Sequence, residues 1–256
     1  MKWRVLSSIL LVGTVLTCHG ITLAANATYD DFATDPDLAG SWDVAGNYVG
    51  GNGVVDCDID SGHIAWNSAN EDLNVSSVND EALATLYRVG ASREDSDPVT
   101  MTISDFTYSG PYWTGLGVVL AQSYDWDLVS GADLCYRWSL STNGALNPDC
   151  FYELKVAGNQ EILHYDLPGG PPANVTLDIV RDGDDYVFLA NGVEMARDNR
   201  YGSTSLPCYG ITYATSGYGN ELSASVDNFG VIPEPSALSM LLSLLGLAFF
   251  SRYARK

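Results

Sequence analysis

Val175-Thr176-Leu177-Asp178-Ile179-Val180-Arg181-Asp182-Gly183-Asp184-Asp185-Tyr186-Val187-Phe188-Leu189-Ala190-Asn191-Gly192 is the stretch that decides the fold. Apolar and polar residues alternate from Val175 to Val180. That period of two places one set of side chains against a core and the other in water. Asp182-Gly183 and Asn191-Gly192 supply turns at which the backbone reverses, so the segment predicts a β-hairpin that ends in a second one.

The same grammar extends in both directions. Strands are predicted at Val54–Ile59, His63–Trp66, Ala84–Val89, Val99–Tyr108, Gly115–Ala121 and Leu134–Leu140. Others follow at Tyr152–Val156, Gln160–Tyr165, Val175–Arg181, Asp185–Ala190, Gly210–Ala214 and Ser223–Val231. Gly, Asn and Asp punctuate them, as in Asp60-Ser61-Gly62 and Ala157-Gly158-Asn159. No stretch of this region sustains a 3.6-residue apolar period over three turns. About a dozen strands in one domain predict an all-β fold, a two-sheet antiparallel jelly-roll sandwich.

The two ends differ from this body. Met1-Lys2-Trp3-Arg4 precedes an apolar run from Val5 to Leu16, and Ala25-Asn26-Ala27 has the small-x-small cleavage pattern. Residues 1–27 therefore read as a secretory signal peptide, with the mature chain starting near Thr28. Cys18 reads as a passenger of the apolar region. At the other end, residues 232–256 hold Pro233-Glu234-Pro235, the uncharged run Ala237 to Phe250, and the cations Arg252, Arg255 and Lys256. A helix of that run spans about 21 Å, short of the hydrocarbon core unless Arg252 snorkels, which makes it a marginal anchor. The cations would stay on the cytoplasmic side.

The box, apolar helix and basic terminus resemble the PEP-CTERM sorting signal of Gram-negative bacteria. The resemblance implies processing by an exosortase, a membrane cysteine protease. It also implies transient anchoring in the inner membrane by the C-terminal helix, then residence at the cell envelope, outer surface or extracellular matrix. Extracellular polysaccharide is the implied partner.

The intervening domain, residues 28–231, is long enough for one full core. Of 12 Lys and Arg, two lie before it and three after it, while nearly all of the 32 acidic residues fall within it. Its formal charge is about −25, which excludes nucleic acid and anionic lipid surfaces as partners. Cys57, Cys135, Cys150 and Cys208 form an even set in an exported domain and predict two disulfides. Four cysteines allow three pairings. Cys135 and Cys150 flank a turn-rich stretch with Asn143-Gly144 and Asn147-Pro148, which favours Cys135–Cys150 and leaves Cys57–Cys208.

The order of segments also resembles the concanavalin A-like lectin/glucanase sandwiches, laminin-G-like domains included. Asp30-Asp31-Phe32 opens the domain and Trp42 follows. The hairpin around Asp182-Gly183 comes late, and Ser225-Val226-Asp227-Asn228-Phe229 closes it. The resemblance implies that the first and last strands are neighbours, and that Asp30, Asp31 and Asp227 hold a structural calcium completed by carbonyls and water. It equally implies glycan chemistry. Glycoside hydrolysis needs two carboxylates about 5–9 Å apart, and in laminarinase-like glucanases they lie in E-x-D-x-x-E on one strand. That motif is missing here: Glu71-Asp72, Glu94-Asp95 and Glu153 have no partner at that spacing. Asp56, Asp58 and Asp60 alternate as a strand face does, and Gly62 and Asn67 break the calcium-loop spacing. Sugars stack on aromatic rings through their apolar C–H faces, so Tyr112, Trp113, Tyr124 and Trp126, in turn-rich stretches beside strands, are the candidate glycan contacts. Sequence alone thus predicts a non-enzymatic envelope or matrix protein that binds or packs within polysaccharide. The alternatives are a glycoside hydrolase with a non-standard carboxylate pair and a purely structural surface protein.

Overall fold

Fourteen strands run through the residues that the computed structural model describes, which are 30–34, 36, 41–49, 64–78, 82–88, 93–124, 134–143, 149–157, 160–215 and 221–231. The strands are β1 (Trp42–Val49), β2 (Ile64–Asn67), β3 (Asp72–Val78), β4 (Ala82–Arg88), β5 (Val99–Ser109), β6 (Thr114–Ala121) and β7 (Cys135–Thr142). They continue as β8 (Cys150–Val156), β9 (Gln160–Leu167), β10 (Asn174–Asp182), β11 (Asp185–Ala190), β12 (Val193–Asp198), β13 (Cys208–Thr215) and β14 (Glu221–Val231). They form two seven-stranded sheets, β1-β4-β13-β6-β7-β8-β9 and β12-β11-β10-β5-β14-β3-β2. Each adjacent pair is antiparallel.

The hairpin read first from sequence forms as read. Asp182 pairs with Asp185 around Gly183, and Leu177 pairs with Ala190. Asn191 and Gly192 both adopt positive φ, 49° and 75°, the primed turn whose twist matches the strands it joins. Asn191 also fastens the turn to β10, since its Oδ1 accepts the Thr176 N–H at 2.8 Å.

Alternation builds the core. Leu116, Val118 and Leu120 of β6 and Tyr136, Trp138 and Leu140 of β7 point inward from the first sheet. Val99, Met101 and Ile103 of β5 and Val175, Leu177 and Ile179 of β10 meet them from the second. Two polar groups cross between the sheets without being left unpaired: Trp138 Nε1–H donates to the Leu189 carbonyl at 2.9 Å, and the Tyr136 hydroxyl donates to Asp198 Oδ1 at 2.7 Å.

The first and last segments lie side by side, because Asp30 bridges Phe229 through two backbone hydrogen bonds of 2.8 and 3.0 Å. Next to the bridge, Phe32 is fully buried with φ of 52°. Its carbonyl accepts the Trp66 indole N–H at 2.9 Å, and its ring begins an aromatic chain through Trp42 and Phe229 to Tyr209.

Three strands escaped the sequence reading. β1 contains Gly46-Asn47, β3 begins with Asp72 and Asn74, and β12 is a charged edge strand. In each, turn-type or charged residues hide the alternation. The predicted strand Val54–Ile59, with Asp56, Asp58 and Asp60, lies outside the described residues. So do the signal segment 1–27 and the tail 232–256 that holds Pro233, Glu234, Pro235, Arg252, Arg255 and Lys256. Among the described residues no helix is long and apolar enough to cross a membrane.

The predicted Cys135–Cys150 disulfide is corrected. Thr142 pairs with Cys150, whereas Cys135 starts the same strand seven residues earlier, about 23 Å away along β7. A disulfide tolerates about 7 Å between Cα atoms. The two side chains also face opposite ways, Cys150 into the main core and Cys135 into a separate cluster with Val119 and Ala121. Both are thiols, as is Cys208, whose Sγ lies 3.8 Å from the Gln122 carbonyl. Its predicted partner Cys57 lies outside the described residues.

Candidate functional site

The outer face of the first sheet, turned away from the core, carries the side chains that alternate with it. One register line crosses six strands there. Thr85 pairs with Thr212, Thr212 with Gly117, Gly117 with Ser139, Ser139 with Glu153 and Glu153 with His164. Five strand spacings of about 4.8 Å make the line roughly 24 Å long. Every member except Gly117 carries a hydrogen-bonding group, so the line is a polar row interrupted at Gly117, where the β7 backbone closes in. A Cβ at Gly117 would lie 2.1 Å from the Trp138 carbonyl oxygen and 2.5 Å from Ser139 Cα, so only glycine fits.

The next register line runs from Gly210 through Val119 and Arg137 to Lys155. Arg137 Nη2–H donates to Glu153 Oε2, and Lys155 Nζ lies 3.0 Å from Glu153 Oε1. Both cations therefore hold one carboxylate. The side chains of Arg137 and Glu153 are 4% and 3% exposed, against 17% for Lys155, so the pair is buried and its third member reaches the surface. Burial pulls the Arg137 guanidinium below its ordinary basicity and the Glu153 charge pushes it back. The indole of Trp113 lies over both cations, 4.6 Å from Arg137 Cζ and 5.5 Å from Lys155 Nζ, in cation–π geometry. It also packs against Gly115, where a Cβ would come within 2.8 Å of the ring.

Along these two lines several buried polar atoms have no hydrogen-bond partner among the described residues: Thr85 Oγ1, Thr212 Oγ1 and Arg137 Nε. Thr85 and Thr212 are each only 1% exposed. A buried group left without a partner costs about 1–3 kcal/mol. The row is thus set up to make hydrogen bonds that it does not make internally. At its β9 end the His164 ring stacks on Phe151 at 3.9 Å, with Nδ1 3.5 Å from Glu161 and Nε2 3.1 Å from Asp166. Toward β4, Tyr87 and Tyr124 stack with ring centroids 4.0 Å apart. Desolvation raises the Tyr124 phenol well above its usual range, so it stays a neutral donor.

The aromatic residues singled out from sequence scatter. Trp113 roofs the site and Tyr124 flanks it through Tyr87, while Tyr112 is 51% exposed in the connection that carries the chain from β5 of the second sheet to β6 of the first. Trp126 lies outside the described residues. Sequence reading missed Thr85, Arg137, Ser139, Lys155, Thr212 and His164. The signal was present in Tyr136-Arg137-Trp138-Ser139-Leu140 and Tyr152-Glu153-Leu154-Lys155-Val156, where polar residues sit between core positions. On β8 the outer-face neighbours of Glu153 are Phe151 and Lys155, and on β9 it lies opposite His164.

The predicted calcium carboxylates are brought near one another but are otherwise engaged. Asp30 Oδ1 and Asp31 Oδ1 accept the N–H groups of Phe32 and Ala33, at 2.8 and 3.2 Å. Asp227 accepts both the backbone and the side-chain N–H of Asn228, at 2.6 and 2.7 Å. Desolvation raises the Asp227 pKa, the Asn228 hydrogen bond opposes this, and the charges of Asp31 and Asp72 add to the rise. Asp72 Oδ1 is buried with no hydrogen-bond partner among the described residues. Among the described residues no group of three or more His, Cys, Asp or Glu side chains is arranged to hold a metal.

No protein-family model matches the chain, and no curated protein matches it in sequence. In three dimensions it is similar to a prokaryotic β-1,3-1,4-glucanase (lichenase) from a mouse hindgut metagenome, at 13% identity and TM-score 0.52 over 80% of this chain and 98% of that one. It is also similar to the Bacillus licheniformis β-glucanase, at 10% identity and TM-score 0.52 over 81% and 98%. A glycoside hydrolase family 16 endo-glucanase from Bacteroides ovatus matches at 10% identity and TM-score 0.53 over 80% and 99%. At these identities the likeness is one of fold: the described residues form an all-β, two-sheet antiparallel sandwich similar to that of these glucanases.

Proposed function

We propose that the protein is exported, non-enzymatic, and binds or packs within extracellular polysaccharide through the outer face of its first sheet. The polar row from Thr85 to His164 carries this reading. The row is roughly 24 Å long, the length of a short oligosaccharide, and its hydroxyls and carboxylate are covered until a ligand displaces what lies over them. Aromatic rings at Trp113 and at the Tyr87–Tyr124 stack supply the apolar contacts that sugars require.

The row argues for binding over hydrolysis. Two-carboxylate chemistry needs one group that exchanges a proton and a second within reach of the same bond. Glu153 is instead neutralised by Arg137 and Lys155, and Arg137 and Ser139 occupy the neighbouring outer-face positions of β7. The destination rests on sequence. A signal peptide over 1–27 and the Pro233-Glu234-Pro235 box with its basic terminus support export, exosortase processing and residence at the envelope or in the matrix.

The test is retention of the purified full-length protein on a panel of immobilised polysaccharides. Tryptophan fluorescence and reducing-end release are followed in parallel. Binding requires Trp113 to lift from the cations it covers, so its emission should change with bound glycan and stay constant in Trp113→Phe. Retention without release of reducing ends is the expected result. Release of reducing ends would make the protein a hydrolase, and failure to retain any glycan would leave it a structural component.

A further inference from the structure

We infer that the Arg137–Lys155 end of the row is a seat for a carboxylate-bearing sugar, a uronate, within the polysaccharide. The inference rests on the reading of this face as a polysaccharide site. Between the two termini the chain has seven cations, and four of the other five are engaged by the protein itself, although Arg181 Nη1 has no hydrogen-bond partner among the described residues. Arg93 donates to the carbonyls of Asp95, Asp97 and Leu206, and Arg181 to those of Gly183 and Gly202. Arg197 is held by Asp182, Asp185 and Glu194, and Arg200 by Asp198. Among the described residues, only at Arg137 and Lys155 do two cations share one carboxylate. Glu161 lies opposite Lys155 across the β8–β9 pair, but its carboxylate is directed to His164. The trio therefore keeps one surplus positive charge, half-covered by the Trp113 ring and with no second carboxylate paired to it among the described residues.

Geometry adds direction to that charge. Arg137 Nε–H has no hydrogen-bond partner among the described residues and is shielded from water. Lys155, the exposed member, uses one of its three N–H donors on Glu153. A carboxylate on a sugar ring would accept from both. The Trp113 indole and the hydroxyls of Ser139 and Ser141, 3.1 Å apart on the same face, would take up the rest of the ring. An ammonium-bearing sugar would meet like charge, and a neutral one would leave the surplus uncompensated. The acidic surface elsewhere does not forbid this contact, because charges beyond about 8 Å are largely screened at physiological salt.

The experiment is calorimetric titration of the full-length protein, in a non-glycosidic detergent, with an oligogalacturonate of about five units and with its carboxyl-reduced counterpart. The two ligands differ only in charge. The expected result is at least about tenfold tighter binding of the acidic oligomer, and loss of that preference in Lys155→Met. Because Lys155 is partly exposed and Met preserves its stem, the variant should fold, and circular dichroism checks it. Equal affinity for both oligomers, tighter binding of the reduced one, or a preference that survives Lys155→Met would overturn the uronate seat while leaving the polysaccharide reading intact. Binding of neither oligomer overturns the seat. Absence of retention on every polysaccharide of the panel would remove the underlying reading as well.

Discussion

Arg137 and Glu153 sit diagonally on adjacent strands of the first sheet and share a charge-assisted hydrogen bond while both are almost completely shielded from water. Such a pair gains little over a well-packed apolar pair, because desolvation offsets most of the attraction. Its loss by halves is another matter. Glu153→Ala leaves two cations without their carboxylate and should cost about 3–5 kcal/mol. The double change Arg137→Met with Glu153→Leu should cost much less. Urea unfolding of the three proteins distinguishes these outcomes, and a double variant as unstable as Glu153→Ala would mean that the pair contributes more than its charges.

Gly117 sets the depth of the row. Gly117→Ala places a methyl group against the backbone of Trp138 and Ser139. Overpacking of this kind costs about 1–3 kcal/mol, and it also pushes Ser139 out of the row. The variant should lose stability together with glycan retention. Gly183→Ala makes a useful contrast: nothing lies within 4 Å of its Cβ, but φ is 64°. Its cost is backbone strain alone, about 1 kcal/mol, with retention unchanged.

Much of the fold was legible because the core alternates. Val175 to Val180, Met101 to Phe106 and Gly115 to Ala121 each show their sheet in the sequence, and two glycine turns fix the register of β10 and β11. The site was less legible for a physical reason. Its residues come from six strands spread between residues 85 and 212, and only the register of the sheet aligns Thr85 with Thr212 and Glu153 with His164. A strand buried on both faces, like β7, also hides its outer residues, since Arg137 and Ser139 are as buried as Trp138. The disulfide expectation failed on the same point. Closeness to a shared turn-rich stretch says nothing of which end of a hairpin, or which face, a cysteine occupies.

Thiol chemistry checks that correction directly. If Cys135 and Cys150 are reduced, unfolding in iodoacetamide without reductant should alkylate both, and peptide mapping should find no cross-linked 135–150 pair. In the native protein Cys208, the most exposed of the three, should react first, although desolvation raises its pKa and slows it at neutral pH. A 135–150 cross-link would require β7 and β8 to be out of the register described.

Asp227 gives the pH dependence. Desolvation, reinforced by Asp31 and Asp72, raises its folded pKa above the ordinary carboxylate value of 3.8. A raised carboxylate pKa means that the folded state holds its proton more tightly than the unfolded chain. This group therefore lowers stability at neutral pH, and the penalty disappears as pH falls through the folded pKa to below about 4. Asp227→Asn removes the charge and keeps an acceptor for the Asn228 N–H, so it should raise the melting temperature at pH 7 in EDTA by a few degrees and leave it unchanged near pH 3. Calcium bears on the same group with opposite sign. A cation held by Asp30, Asp31 and Asp227 would stabilise the wild type by mass action and leave the variant unmoved. Melting curves of both proteins at pH 3 and 7, with EDTA and with millimolar calcium, separate the possibilities. A lower melting temperature for Asp227→Asn in EDTA at pH 7 would show that its hydrogen bonds to Asn228 outweigh the repulsion. A calcium shift confined to the wild type would establish the metal that the resemblance implies.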